Sequence, residues 1–211
     1  MAKINELSGA LSGAIGPVVA SSWRGVKYFR SAPRRSTKPP TEKQLQHRAR
    51  IALVSKFIYG MKDLLDDSFT AFAVKKTGSN AAFSYNFKNA VEGVYPHYGI
   101  HYSRALLSRG DLPNADHISV VINAEAQLHF SWADNSGTGQ AMPGDLCTCV
   151  VHEPGTGMTL FVKGAADRRS GSAMMDVVQF RGKAVETWLA FSSAGGKECS
   201  DSVYTGRIVV L

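Results

Sequence analysis

Few residues in this chain combine the types and spacing that chemistry requires. Ala194-Gly195-Gly196-Lys197 ends like a phosphate-binding loop, in which a glycine-rich turn offers backbone amides to phosphate oxygens. That motif needs a glycine five residues before Gly196, and the residue there is Phe191. A turn between two strands is the better reading. His97 and His101 have the i, i+4 spacing of two metal ligands on one helical face. Pro96 and Gly99 argue against a helix, and in a strand the pair would lie roughly 13 Å apart, too far for one ion. Cys147 and Cys149, at i and i+2, would share a strand face with Cα atoms roughly 6.5–7 Å apart and side chains running parallel, a poor start for a disulfide. Together with Cys199 they read as free thiols. Asp63, Asp66 and Asp67 read as a solvated turn at a helix end. Ser, His and Asp all occur, but never in a Gly-x-Ser-x-Gly elbow. The residues therefore predict no catalytic site, no cofactor, no metal and no enzyme.

What remains is charge. Residues 1–50 hold ten Lys/Arg against two acids, a balance of +8, whereas the other 161 residues sum to −1. The basic character of the chain thus belongs to an arm, and such asymmetry suggests an acidic or protein partner. The candidate contact residues are Val18, Val19, Trp23, Arg24, Lys27, Phe29, Arg30, Arg34, Arg35 and Lys38. Two functions follow. In the leading one the arm lies against a neighbour, a second copy or another protein, and buries Val18, Val19, Trp23 and Phe29, which makes the chain a non-enzymatic structural or assembly protein. In the alternative, a nucleic-acid-associated protein, the arm's cations contact phosphates. An aromatic stretch (Phe83, Tyr85, Phe87, Tyr95, Tyr98, Tyr102) could stack on bases, but reads better as core between helices and a sheet.

The elements that position these residues are legible from periodicity. Residues 17–31 predict a β-hairpin turning near Arg24-Gly25, and 32–40, with three prolines, an extended linker. Thr41-Glu42-Lys43-Gln44 is a capping-box pattern, so a helix is expected over 41–67, bent at Gly60. A shorter helix is expected over 81–92, and an extended segment over 98–109. From residue 117 the texture is all-β, with runs at 117–123, 126–132, 146–152, 158–163, 173–178, 185–191 and 203–210. Alternation puts Leu128, Phe130 and Trp132 on one face, and Val185, Thr187, Leu189 and Phe191 on another. Trp132 and Tyr204 are placed as in a fibronectin type III-like layout. The expected organisation is α+β. A basic, Gly/Pro-rich hairpin arm (1–40) precedes a helical region (41–112) and an antiparallel seven-stranded β-sandwich of fibronectin type III/immunoglobulin-like type (113–211).

Several strings carry a family resemblance: GPVVASSWRGVKYFRSAPRRSTKPPTEKQLQHRARIALVSKF, YNFKNAVEGVYPHYGIHYSRALLSRGDLP, FSWADNSGTG and SDSVYTG. Along nearly its whole length the chain resembles an uncharacterised family of Bacteroidota proteins of about this size. The resemblance implies a bacterial origin and no signal peptide, and it implies no reaction or cofactor. Residues 7–20 are too interrupted by Gly and Pro for a signal h-region. No window reaches the roughly 18 apolar residues of a membrane span. The expected compartment is the cytoplasm, with unconventional export left open.

Overall fold

The structure, a computed structural model, describes residues 2, 3, 13–23, 25–33 and 38–211. The chain divides into two compact units, Met1–Thr41 and Glu42–Leu211.

The first unit is an antiparallel sheet, larger than the expected hairpin. Its strands are β1 (Ala2–Lys3), β2 (Gly13–Ile15), β3 (Val18–Trp23) and β4 (Val26–Ser31), in the order β1-β4-β3-β2. The β3–β4 pair is the expected hairpin, closed between Trp23 and Val26. The β2–β3 hairpin closes between Ile15 and Val18, and Gly16 in its two-residue turn has φ +56°, which glycine adopts without a Cβ penalty.

The second unit opens with helices. The predicted helix over 41–67 is two: α1 (Glu42–Ile58) and α2 (Lys62–Ser68), separated by a 3-10 turn at Tyr59–Met61. The break falls at Gly60, where the bend was expected. A third helix, α3 (Gly78–Asn89), starts and ends about three residues earlier than the sequence suggested. Thr77 caps it, its side chain accepting from the Asn80 amide, and a Cβ at Gly78 would stand 2.4 Å from the Leu65 carbonyl oxygen. Only glycine lets α3 start so close to α2. A short hairpin, β5 (Val91–Val94) and β6 (His97–Ile100), follows, so the segment expected to be extended over 98–109 is strand only as far as Ile100.

Seven further strands match the seven predicted runs: β7 (Asp116–Ile122), β8 (Gln127–Ala133), β9 (Leu146–Glu153), β10 (Met158–Asp167), β11 (Ser172–Asp176), β12 (Ala184–Ser192) and β13 (Val203–Val209). They form two antiparallel sheets, β11-β8-β7 and β10-β9-β12-β13. Two 3-10 turns, Arg168–Ser170 and Val178–Phe180, flank β11. One core joins the two sheets. It holds Leu128, Phe130 and Trp132 from β8, Cys147, Cys149 and Val151 from β9, and Val185, Leu189 and Phe191 from β12. Trp132 and Leu189 are buried, as alternation predicted.

The four-stranded sheet has a second covered face. Val54, Phe57, Met61, Leu64 and Leu65 of the helical layer pack with Val150 and Trp188, the alternate residues of β9 and β12. Both strands are therefore buried almost without interruption along their length. Burial on both faces is the reason they carry so little polar alternation.

Candidate functional site

Seven of the ten candidate contact residues lie among the described ones: Val18, Val19, Trp23, Lys27, Phe29, Arg30 and Lys38. Arg24, Arg34 and Arg35 lie outside them. Cross-strand partners share a face, so the register of β3 and β4 sorts the side chains. Val18, Ala20, Lys27 and Phe29 fall on one face together with Ile15 of β2. Val19, Trp23, Val26, Tyr28 and Arg30 fall on the other. Lys27 and Arg30, both exposed, thus project from opposite faces. Among the described residues of this sheet only Ala20 is buried, while Ile15 is 62% exposed, Trp23 54% and Val26 48%.

The body holds a polar row that the sequence reading missed. Thr159, His152, Glu186 and Arg207 are successive register partners across β10, β9, β12 and β13. The side chains of His152 and Glu186 are buried beneath the helical layer. His152 Nδ1 lies 2.8 Å from Thr159 Oγ1, and its ring meets Phe57 edge-on at 5.1 Å. Burial lowers the His152 pKa to about 4, so the imidazole is neutral at pH 7. Tyr204 donates its hydroxyl proton to Glu186 Oε2 at 2.5 Å, and Arg207 Nε stands 3.8 Å from the same carboxylate. Burial, and then that hydrogen bond, push the Tyr204 hydroxyl well above its usual range. A neutral imidazole beside a hydroxyl has the makings of an acid–base pair. Here each polar group is bound to a neighbour within the row, as in a structural tie. Only the strand register brings these residues together, and spacing along the chain carries no trace of it.

Of the three aspartates, Asp63 and Asp67 are exposed, as a solvated helix end would have them, and Asp66 is partly buried. Asp66 accepts hydrogen bonds from the Ser79 amide (2.8 Å) and hydroxyl (2.6 Å), and Asp67 pairs with Lys163 Nζ at 2.5 Å. Cys147 and Cys149 are free and buried, with sulfurs 3.6 Å apart. Gly196 sits in the turn between β12 and the Cys199 bridge. Phe83, Tyr85, Phe87 and Tyr102 pack against the helical core, whereas Tyr95 is exposed. Among the described residues no group of three or more His, Cys, Asp or Glu is arranged to hold a metal ion. No helix among them is long and apolar enough to cross a membrane.

None of the curated proteins compared matches the chain. A family model does match, over residues 10–206, which takes in the whole of both body sheets except the end of β13 as well as most of the arm. The chain accordingly belongs to DUF6266, a family of unknown function.

Proposed function

We propose that the chain is a non-enzymatic structural or assembly protein that associates with a second copy of itself through its N-terminal arm. The observation that carries this reading is how little of the arm sheet is buried among its described residues. Four strands normally gain stability by burying one face, yet here only Ala20 is buried among the described residues. Ile15 and Val18 pair across one hairpin end, and Trp23 and Val26 across the other, all four exposed. Full burial of a side chain of this size contributes about 1.5–3 kcal/mol, and a neighbouring copy would supply the part that belongs to the area still exposed. The opposed directions of Lys27 and Arg30 favour this reading over a phosphate-tracking surface, which concentrates its cations on one side.

For the body, we infer a seven-stranded sandwich of the fibronectin type III/immunoglobulin-like type, with a helical layer added to its larger sheet. Support comes from the partition of strands: the first, second and fifth in one sheet, the third, fourth, sixth and seventh in the other, around a shared core.

Sedimentation of the full-length chain and of a variant lacking residues 1–35, each with and without duplex and single-stranded DNA, tests the assembly reading. The full-length chain is expected to self-associate and the truncated one to be monomeric. A monomeric full-length chain that binds DNA with a steep salt dependence supports the nucleic-acid alternative instead. A monomer indifferent to DNA defeats both.

A further inference from the structure

We propose that the cavity between α2 and the four-stranded sheet binds a small phenol or alcohol, an apolar frame carrying one uncharged hydroxyl group. The cavity measures about 340 Å³ and is lined by residues of the body alone. Ligand sites typically span about 300–1,000 Å³. Register accounts for the space. Lys163 of β10, Thr148 of β9 and Ala190 of β12 are successive cross-strand partners, so two small residues form the floor. Cys147 and Cys149, on either side of Thr148, point into the core between the two sheets. Alternation therefore turns the Thr148 side chain to the opposite face, toward α2.

The floor's polar group is open to a ligand. Thr148 keeps 8% of its surface exposed, and its hydroxyl bonds to no described residue. Among the described residues, the fully sealed side-chain atoms without a partner are Asn114 Oδ1 and Trp188 Nε1, and Thr148 Oγ1 is not one of them. Because the side chain faces the cavity, the surface that Thr148 Oγ1 retains is cavity surface. A hydroxyl in this position gains from a partner that either donates or accepts. Ser68 and Ser108, on the wall, spend their protons on the Leu107 and Ser200 carbonyls, each at 2.7 Å. Toward a ligand these two can only accept, which calls for a donor. A hydroxyl meets both conditions, whereas a ketone or ether meets the first alone. The charged groups lining the cavity, Lys163 and Asp67, are exposed and paired with each other. They leave no buried charge for an ion to neutralise, so an uncharged ligand avoids the cost of desolvating one. This site is independent of the arm and of the assembly reading.

The test uses the full-length chain and three probes of similar shape: 4-propylphenol, its ether isomer 4-ethylanisole, and propylbenzene. Calorimetry gives the affinities, and methyl NMR locates the site. Transfer out of water alone favours the hydrocarbon. The phenol is nevertheless expected to bind about tenfold or more tighter than either other probe, and to shift the methyl resonances of Thr148 and Ala190. Thr148→Val keeps the size and removes the hydroxyl, so it should abolish most of that preference while propylbenzene still binds. Ala190→Leu should fill the floor and weaken all three probes at least tenfold, and Ala190→Val gives the same reading if Ala190→Leu does not fold. A phenol that fails to bind at millimolar concentration overturns the proposal. So does a phenol bound no tighter than the other two, a preference unchanged in Thr148→Val, or unmoved Thr148 and Ala190 methyls.

Discussion

Arg168 is fully buried, and its guanidinium is engaged on several sides. Nε and Nη2 each lie 3.1 Å from Asp145 Oδ2, Nη1 donates to Asn135 Oδ1 and Nη2 to the Pro113 carbonyl, both at 2.8 Å. The group also stacks over Phe191 at 4.3 Å. It ties three loops at one end of the two sheets, which is a structural task. Arg168→Ala leaves Asp145 buried and unpaired and should cost about 3–5 kcal/mol in urea unfolding. Replacing both, Arg168→Met with Asp145→Leu, should cost less than the single change, because no lone charge then remains. A double variant as unstable as the single would contradict this. The second residue-scale prediction concerns pH. The unfolded chain takes up a proton on His152 near pH 6.5, and the folded chain only near 4. Stability is therefore lost as pH falls from 6.5 to 4, by about 3 kcal/mol for this group alone. Glu153 acts in a lower window. The Thr156 hydroxyl, followed by the Thr156 and Gly155 amides, holds its carboxyl down at about 2, so its contribution is lost between 4.5 and 2. Thermal melts of His152→Gln should be flat in the upper window and still fall in the lower. A variant that tracks the parent through pH 6.5–4 would exclude His152 as the source.

Asp66 at the end of α2 does for α3 what a capping residue does for its own helix, binding Ser79 in the first turn. The Ser79 hydrogen bonds keep its carboxyl below the usual range. Asp66→Ala should cost about 1–2 kcal/mol and speed hydrogen exchange at Ser79, with little effect in the two body sheets. Uniform exchange across the body would show that α2 and α3 are not joined there. Such links between elements mark the limit of what periodicity reveals. Seven strand runs were legible because Val, Ile and aromatic clusters are bounded by Gly, Pro and Asn, and most ends agree within a residue or two. The exception is β10, which continues past Gly164 (φ +67°) to Asp167 through a register shift that no local pattern signals. The inner face of β12 was readable from Val185, Leu189 and Phe191. Its outer face was not, because Glu186, Trp188 and Ala190 look like a solvent side until helices cover them. For the same reason the cavity of about 340 Å³ beside Leu64, Leu107, Thr148 and Ala190 was invisible. Thr148 and Ala190 become a floor only once the strands are in register and a layer lies above them.

At the scale of the whole molecule, the proposed self-association would draw on two exposed apolar pairs of the arm instead of one. Ile15 with Val18 and Trp23 with Val26 stand at opposite ends of the six-residue β3, roughly 17 Å of strand apart. Register places them on opposite faces as well. A copy that occupies one pair therefore leaves the other open, and association that uses both continues beyond a dimer unless the geometry closes a ring. Contacts made through these pairs would be apolar, so added salt should change the size distribution only modestly, in contrast to a phosphate contact. Lys at either pair removes one contact. Ile15→Lys and Trp23→Lys should each stop growth at a dimer or a monomer, and the double variant should be monomeric. Mixing the two single variants also separates two modes of pairing. If unlike pairs meet, each variant alone is a monomer and the mixture forms a dimer. If like pairs meet, each variant alone is already a dimer. Sedimentation velocity at two salt concentrations reads all of these outcomes, and a single variant that still grows like the parent chain would remove the arm's hairpin ends from the assembly.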